Sequence, residues 1–271
     1  MQSFFMIFPL VLGYLIFLYF IFQQALANYI GIILPSVSTL GIIELFFGET
    51  LLNVYSQDPQ QNAKACVIWM HGLGADASDM AGLAKHPALA RLPVRHVFID
   101  APVRPVTING GMSMRAWYDI VGVTLNDRED EVGIKQSQLS INQVIAEQIK
   151  TAGFRSDQIV LAGFSQGGAM ALYSALHSPL PLAGVIALSA YLPLARVCQP
   201  TLPLQTPFFM GSGLYDPIVL PQWTKQCAQW LHLQGFTQIT STEYAMEHSI
   251  CPDEIRDVTH WLSELVEGVQ A

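Results

Sequence analysis

Ile159-Val160-Leu161-Ala162-Gly163-Phe164-Ser165-Gln166-Gly167-Gly168-Ala169-Met170-Ala171-Leu172 is the stretch on which the rest of the chain turns. An apolar, β-branched run leads into Gly-Phe-Ser-Gln-Gly, and small residues and good helix formers follow. The pattern predicts a strand, a sharp turn and a helix, with Ser165 at the apex. A serine hydroxyl is a weak nucleophile until a base takes its proton. A sharp turn lifts it clear of the backbone, and glycines two residues to each side let the chain pass closely. A bare G-x-S-x-G arises by chance in roughly one chain in ten of this length. A plain glycine-rich turn is therefore a serious rival until an acid, a histidine and oxyanion donors are found.

Other elements alternate around this one. Ala65–Met70 is a continuous apolar run ending in His71-Gly72-Leu73-Gly74, and 76–90 reads as a helix capped by Asp76 or Ser78. A short strand at 96–99 ends at Asp100-Ala101-Pro102, and 103–133 reads as irregular. Residues 137–152 have helical spacing through Leu139, Ile141, Val144, Ile145 and Ile149. After the serine turn come strands at 184–188, 207–210 and 239–244, with helices at 222–234 and 255–266. Strand–helix alternation predicts an α/β fold, with a mostly parallel sheet covered by helices on both faces.

Position then separates signal from noise. Ser165, Asp216, His248 and the His71–Gly74 turn each follow the carboxyl end of a predicted strand. In open α/β sheets those ends form one crevice. The order Ser, Asp, His is that of the α/β-hydrolases. The chemistry assigns Ser165 to attack an acyl carbon and His248 to take and return the proton. Asp216 holds the imidazole tautomer. Backbone N–H groups of Leu73 and Gln166 are the expected oxyanion donors, contributing about 3–4 kcal/mol each. Against this stand plainer readings, with Asp216-Pro217 as a turn and His248 as a surface residue. His71 is expected to shape its turn by hydrogen bonding, and Asp100 and Asp119 to be structural. Trp69, Trp117, Met112 and Met114 could line an acyl pocket or pack in the core, and Cys251 reads as a packed thiol.

Composition bounds the rest. The first 57 residues hold no Lys or Arg and only two acids, Glu44 and Glu49; from Asp58 onward 19 acids face 13 bases, a net charge of −6. An acidic domain of this kind repels phosphate backbones, so nucleic acid is not an expected partner. The four cysteines are widely spaced, without a zinc pattern or a disulfide framework, which favours a reducing compartment. Residues 3–22 are apolar over about the 20 residues that span a bilayer core. Residues 30–47 form a second, broken apolar stretch. Three readings stand for this extension: a membrane anchor, a signal cleaved after Ala25-Leu26-Ala27, or a start site placed too far upstream. The polar run 56–64 marks the composition change. The expected organisation is a hydrophobic extension over 1–55 and a catalytic domain over 56–271.

Several ordered stretches resemble the acyl-protein thioesterase/carboxylesterase family, the phospholipase/carboxylesterase type of α/β-hydrolases. They are Val67–Asp76, Asp100-Ala101-Pro102 with Pro105–Gly111, Ala116-Trp117-Tyr118-Asp119, Gly163–Ala171, Leu188–Pro193 and His248–Ile255. The resemblance covers about residues 60–268. It implies ester or thioester hydrolysis without metal or organic cofactor, on short acyl esters, lysophospholipids or S-acylated proteins. It places the family's roles on Ser165, Asp216 and His248, with Leu73 and Gln166 as oxyanion donors. It also implies a cytoplasmic catalytic domain, tethered to a membrane if 3–22 is an anchor. Glu247 departs from the pattern, which has Gly before the histidine; a charge there is expected to favour the protonated imidazole. The rival of a different class is a membrane-anchored binding module that kept the fold without catalysis.

Overall fold

In the computed structural model, residues 52–122 and 128–268 are described. The apolar stretches at 3–22 and 30–47, and so the expected anchor, lie outside them. Among the described residues no helix is long and apolar enough to cross a membrane.

A strand that is apolar at every position can be buried on both faces. Four runs, apolar except at Ser212, make the centre of the sheet: β2 (Ala65–Met70), β6 (Ile159–Phe164), β7 (Gly184–Leu188) and β8 (Phe208–Gly213). With β1 (Val54–Gln57), β3 (Val94–Ile99) and β9 (Ile239–Tyr244) they form a seven-stranded sheet in the order β1-β3-β2-β6-β7-β8-β9. All pairings are parallel except β1 with β3, where Val54 faces Ile99. β4 (Val103–Val106) and β5 (Met112–Arg115) form a separate antiparallel hairpin.

Side chains alternate across the sheet and divide the core in two. Cys66, Ile68, Met70, Leu161, Ala187 and Met210 face one way. They meet α2 (Glu131–Ala152), α3 (Gln166–Leu176) and α4 (Pro221–Leu233). Ala65, Val67, Trp69, Ala162, Ile186 and Phe209 face the other way, toward α1 (Ala77–Ala84) and α5 (Pro252–Gly268). All eleven residues of α3 are buried. A helix with no solvent face has no need of a polar stripe, which is why this one reads Gly-Gly-Ala-Met-Ala-Leu.

Strand and helix ends shift by one to three residues from the sequence reading at 94–99, 208–213, 221–233 and 252–268, and four differences go further. Val54–Gln57 is a strand, although the composition places it between extension and linker; as an edge strand it is mostly exposed and shows no apolar alternation. The stretch read as irregular contains the β4–β5 hairpin, of whose eight residues only Val106 is buried. The α2 helix starts at Glu131, not 137, because Asp130 caps it by accepting from the Gly133 N–H at 2.9 Å. Leu139 lies on its exposed side, 59% accessible, so this residue is not part of the core face. The α1 helix stops at Ala84 and a 3₁₀ turn follows at Leu89–Arg91. Asp76 is its cap: Oδ1 accepts from Ser78 N–H at 2.8 Å, and Asp76 N–H donates to Asp79 at 3.0 Å.

The helix after β6 can lie this close to the sheet only because side chains are missing. A Cβ on Gly167 would sit 2.6 Å from the His71 carbonyl oxygen and closer still to Met70, and one on Gly168 would sit 2.7 Å from the Ala190 Cβ. Gly167→Ala is therefore expected to cost about 3 kcal/mol or more, through a forced shift of α3 or β2. Gly82→Ala, in an exposed turn of α1 with nothing within 4 Å, is expected to stabilise by roughly 0.5–1 kcal/mol. Urea unfolding midpoints of the two variants check the pair.

Candidate active site

Ser165 caps α3 with φ 55° and ψ −121°, a region L-residues avoid. The tight glycine packing on both sides holds it there. Its N–H donates to the Leu188 carbonyl at 2.8 Å and its carbonyl accepts the Ala169 N–H at 2.9 Å. The Oγ lies 2.9 Å from Nε2 of His248, and His248 Nδ1 lies 2.7 Å from Oδ2 of Asp216. The three residues, 83 and 32 positions apart in sequence, thus form one hydrogen-bonded chain.

Each partner is held by its own loop. Asp216, after β8, is buried, and its other oxygen accepts N–H groups of Ile218 and Val219 at 2.8 and 2.9 Å. A carboxylate can only accept, so the imidazole proton sits on Nδ1. Nε2 is then left to accept from the serine hydroxyl. Tyr215 N–H donates to the Met246 carbonyl at 3.0 Å, joining the aspartate loop to the histidine loop. A Cβ on Gly213 would lie 2.5 Å from that same carbonyl oxygen. Phe164 packs on the His248 ring at a centroid distance of 4.7 Å.

The His71–Gly74 turn passes beside the serine: a Cβ on Gly72 would lie 3.4 Å from the Ser165 Cβ. His71 is buried and serves the turn. Nδ1 lies 2.7 Å from the Gly72 carbonyl oxygen, and Nε2 accepts the Ala101 N–H at 3.0 Å. Burial holds its pKa below the ordinary histidine value, in keeping with a neutral ring. Asp100 accepts the Ala77 N–H at 2.9 Å and pairs with Arg115 at 3.1 Å, and Asp119 accepts the Thr107 N–H at 2.7 Å; both acids build loops.

The aromatic and thioether residues considered for an acyl pocket separate. Trp69 is buried on the α1 side and donates to His96 at 3.0 Å. Trp117 is buried and bonded to the His71 carbonyl at 2.9 Å, and Met112 is 65% exposed. Met114 also lies against the turn, with Sδ 3.6 Å from where a Gly74 Cβ would be. Glu247 is exposed, and no ion pair joins it to His248 among the described residues. Cys251 is half-buried. No three His, Cys, Asp or Glu side chains converge as metal ligands among the described residues. A cavity of about 520 Å³ bounded by Leu182, Pro207 and Trp261 lies at the amino ends of β7 and β8, far from this chemistry.

A fold of this topology with a strained serine joined to a buried histidine–aspartate pair defines a class, the serine hydrolases of the α/β-hydrolase fold. Within that class, residues 53–266 match the Phospholipase/Carboxylesterase family model, and the chain belongs to that family. It is 37% identical to acyl-protein thioesterase 1 of Mycosarcoma maydis over 234 residues, covering 77% of this chain and 95% of that protein. Acyl-protein thioesterase 1 of Neurospora crassa is also 37% identical, over 217 residues that cover 76% of this chain and 88% of that one. The crystal structure of Zea mays acyl-protein thioesterase 2 superposes with a TM-score of 0.71 at 25% identity, covering 79% of this chain and 99% of the other. The protein is a hydrolase of the carboxylesterase/thioesterase type.

Sequence reasoning overlooked one ionisable group near the site. Glu254, six residues past His248 in the first turn of α5, is fully buried, and neither carboxyl oxygen has a partner among the described residues. Its Oε1 fills the space a side chain on Gly211 would need. Burial, reinforced by the nearby Asp257 charge, pushes its pKa up to about 8. A carboxyl whose pKa is higher folded than unfolded binds more protons in the folded state. Its stability contribution is full below about pH 4.5 and is lost as pH rises to about 8. Glu254→Gln is expected to raise stability at pH 8 by about 2–4 kcal/mol and change nothing at pH 4. Melting curves of both proteins across that range check the sign.

Proposed function

We propose that this protein hydrolyses acyl thioesters and esters through an acyl-enzyme on Ser165. The observation that carries this reading is the pair of contacts at 2.9 and 2.7 Å that link serine, histidine and aspartate. Ser165 Oγ adds to the acyl carbonyl carbon as its proton passes to His248 Nε2. The carbonyl oxygen becomes an oxyanion held by the N–H groups of Leu73 and Gln166. The tetrahedral species collapses, expels the thiol or alcohol with the proton from His248, and leaves acyl-Ser165. Water, deprotonated by the same imidazole, repeats the sequence and frees the acid. Asp216 keeps the imidazole in the required tautomer and stabilises the imidazolium.

The relatives' names, acyl-protein thioesterase, support S-acylated protein as the substrate class. A thiolate also leaves more readily than an alkoxide, so a thioester places the smaller demand on His248 as acid. Short acyl esters and lysophospholipids present the same carbonyl and are the second reading, supported by the family description.

A fluorophosphonate probe is expected to label wild-type protein on Ser165 and to leave Ser165→Ala unlabelled. Ser165→Ala should lower kcat on a palmitoylated peptide by about 10⁶-fold and Asp216→Asn by about 10⁴-fold. Rates on palmitoylated peptide, short nitrophenyl ester and lysophospholipid rank the substrates. Hydrolysis that survives intact in Ser165→Ala would end the proposal.

A further inference from the structure

The two N–H groups proposed to hold the oxyanion sit on different loops. Leu73 lies three residues past β2, and Gln166 lies at the start of α3. Both must lie about 2.7–3.1 Å from one developing charge, so the distance between their loops has to be fixed by something. The motif Ala116-Trp117-Tyr118-Asp119 has so far had no such task.

Four hydrogen bonds run from residues 115–118 to those two loops. Gly74 N–H donates to the Arg115 carbonyl at 2.9 Å, and the Trp117 indole N–H donates to the His71 carbonyl at 2.9 Å. These two bonds bracket Leu73. The Trp117 backbone N–H donates to Oε1 of Gln166 at 2.9 Å, and Nε2 of Gln166 donates to the Tyr118 carbonyl at 2.8 Å. The Trp117 and Gln166 side chains are buried. The segment itself is anchored, with the Ala116 N–H on the Pro102 carbonyl at 3.0 Å and the Trp117 carbonyl accepting from the hydroxyl of Ser137 in α2.

We infer that residues 115–118 are a brace that sets the spacing of the two oxyanion donors, with the Gln166 amide and the Trp117 indole as its positioning groups. The inference rests on the oxyanion assignment made above. Any residue except proline at 166 would offer a backbone N–H. The Gln166 amide accepts from Trp117 N–H and donates to the Tyr118 carbonyl at once, and it is long enough to reach both. A carboxylate can do the first and not the second, and a thioether accepts only weakly and cannot donate. The identity of residue 166 is thus set by the side chain's work on the neighbouring loop.

The test uses the full-length protein and counts active sites by fluorophosphonate labelling of Ser165. It then measures kcat and KM on a short nitrophenyl ester, and Ki for an alkyl trifluoromethyl ketone. That ketone adds Ser165 Oγ at its carbonyl carbon and leaves a stable oxyanion, so its affinity reads the donors directly. In Gln166→Met, kcat per active site is expected to fall about 10–100-fold with KM nearly unchanged, and the ketone Ki to rise in parallel. Trp117→Phe, which loses one bond, should move both in the same direction by about 3–10-fold. If Gln166→Met yields no folded protein, Trp117→Phe carries the test alone, with the same two readouts. A kcat within twofold of wild type, or a fall in kcat with the ketone Ki unmoved, overturns the brace. Wild-type protein that the probe fails to label would overturn the nucleophile assignment itself, a result distinct from a labelled enzyme indifferent to residue 166.

Discussion

Three stretches of backbone meet at Ser165 with no room for a side chain between them. The end of β2, the end of β6 and the first turn of α3 approach so closely that Cβ atoms on Gly163 and Gly167 would collide with main-chain atoms. This contact fixes more than packing. It forces the positive φ at Ser165, aims Oγ outward, and brings the His71–Gly74 turn alongside the nucleophile. Backbone strain of about 1–3 kcal/mol at such a residue persists only where its surroundings over-determine it. Here the surroundings are a fully buried α3 and two double-sided strands.

The parallel register carries the same constraint outward. Met70 pairs with Gly163, Phe164 with Leu188, and Leu188 with Gly211. The strands therefore end almost level, and the loops beyond them have short distances to cover. Asp216 and His248 reach Ser165 from β8 and β9 without long excursions, and Gly213 lets their two loops touch. Where the chain spends stability, it does so close to this edge, with a strained serine and a buried carboxyl at Glu254 that has no partner among the described residues. Active sites commonly collect such local costs, because the groups are arranged for chemistry and not for stability.

The strands that carry the site were readable because burial on both faces leaves an uninterrupted apolar run. Ala65–Met70 and Gly184–Leu188 coincide with their predicted limits to the residue; so does Ile239–Tyr244, an edge strand that is neither apolar throughout nor buried on both faces. Elements at the margin left weaker traces. Val54–Gln57 and the β4–β5 hairpin have little buried surface, so no periodicity marks them. The early start of α2 is hidden because Val132 is exposed while Gly133 is buried against Arg104 and Asp130. Residue types suggested Ser165, Asp216 and His248, and order along the chain brought them together as candidates. The work of Gln166 and Trp117 was not readable, since it consists of bonds to backbone groups on other loops. Residue identity does not record which carbonyl a buried amide will find.

The central claim is that an acyl group passes through Ser165. Mixing the enzyme with an acyl thioester, quenching in acid within one turnover and weighing the peptide that contains residue 165 tests it most directly. The account predicts a near-stoichiometric burst of thiol and a mass increase of one acyl group on Ser165, absent in Ser165→Ala. Steady turnover with no acylated Ser165, or an acyl group found on Cys251 instead, would contradict it.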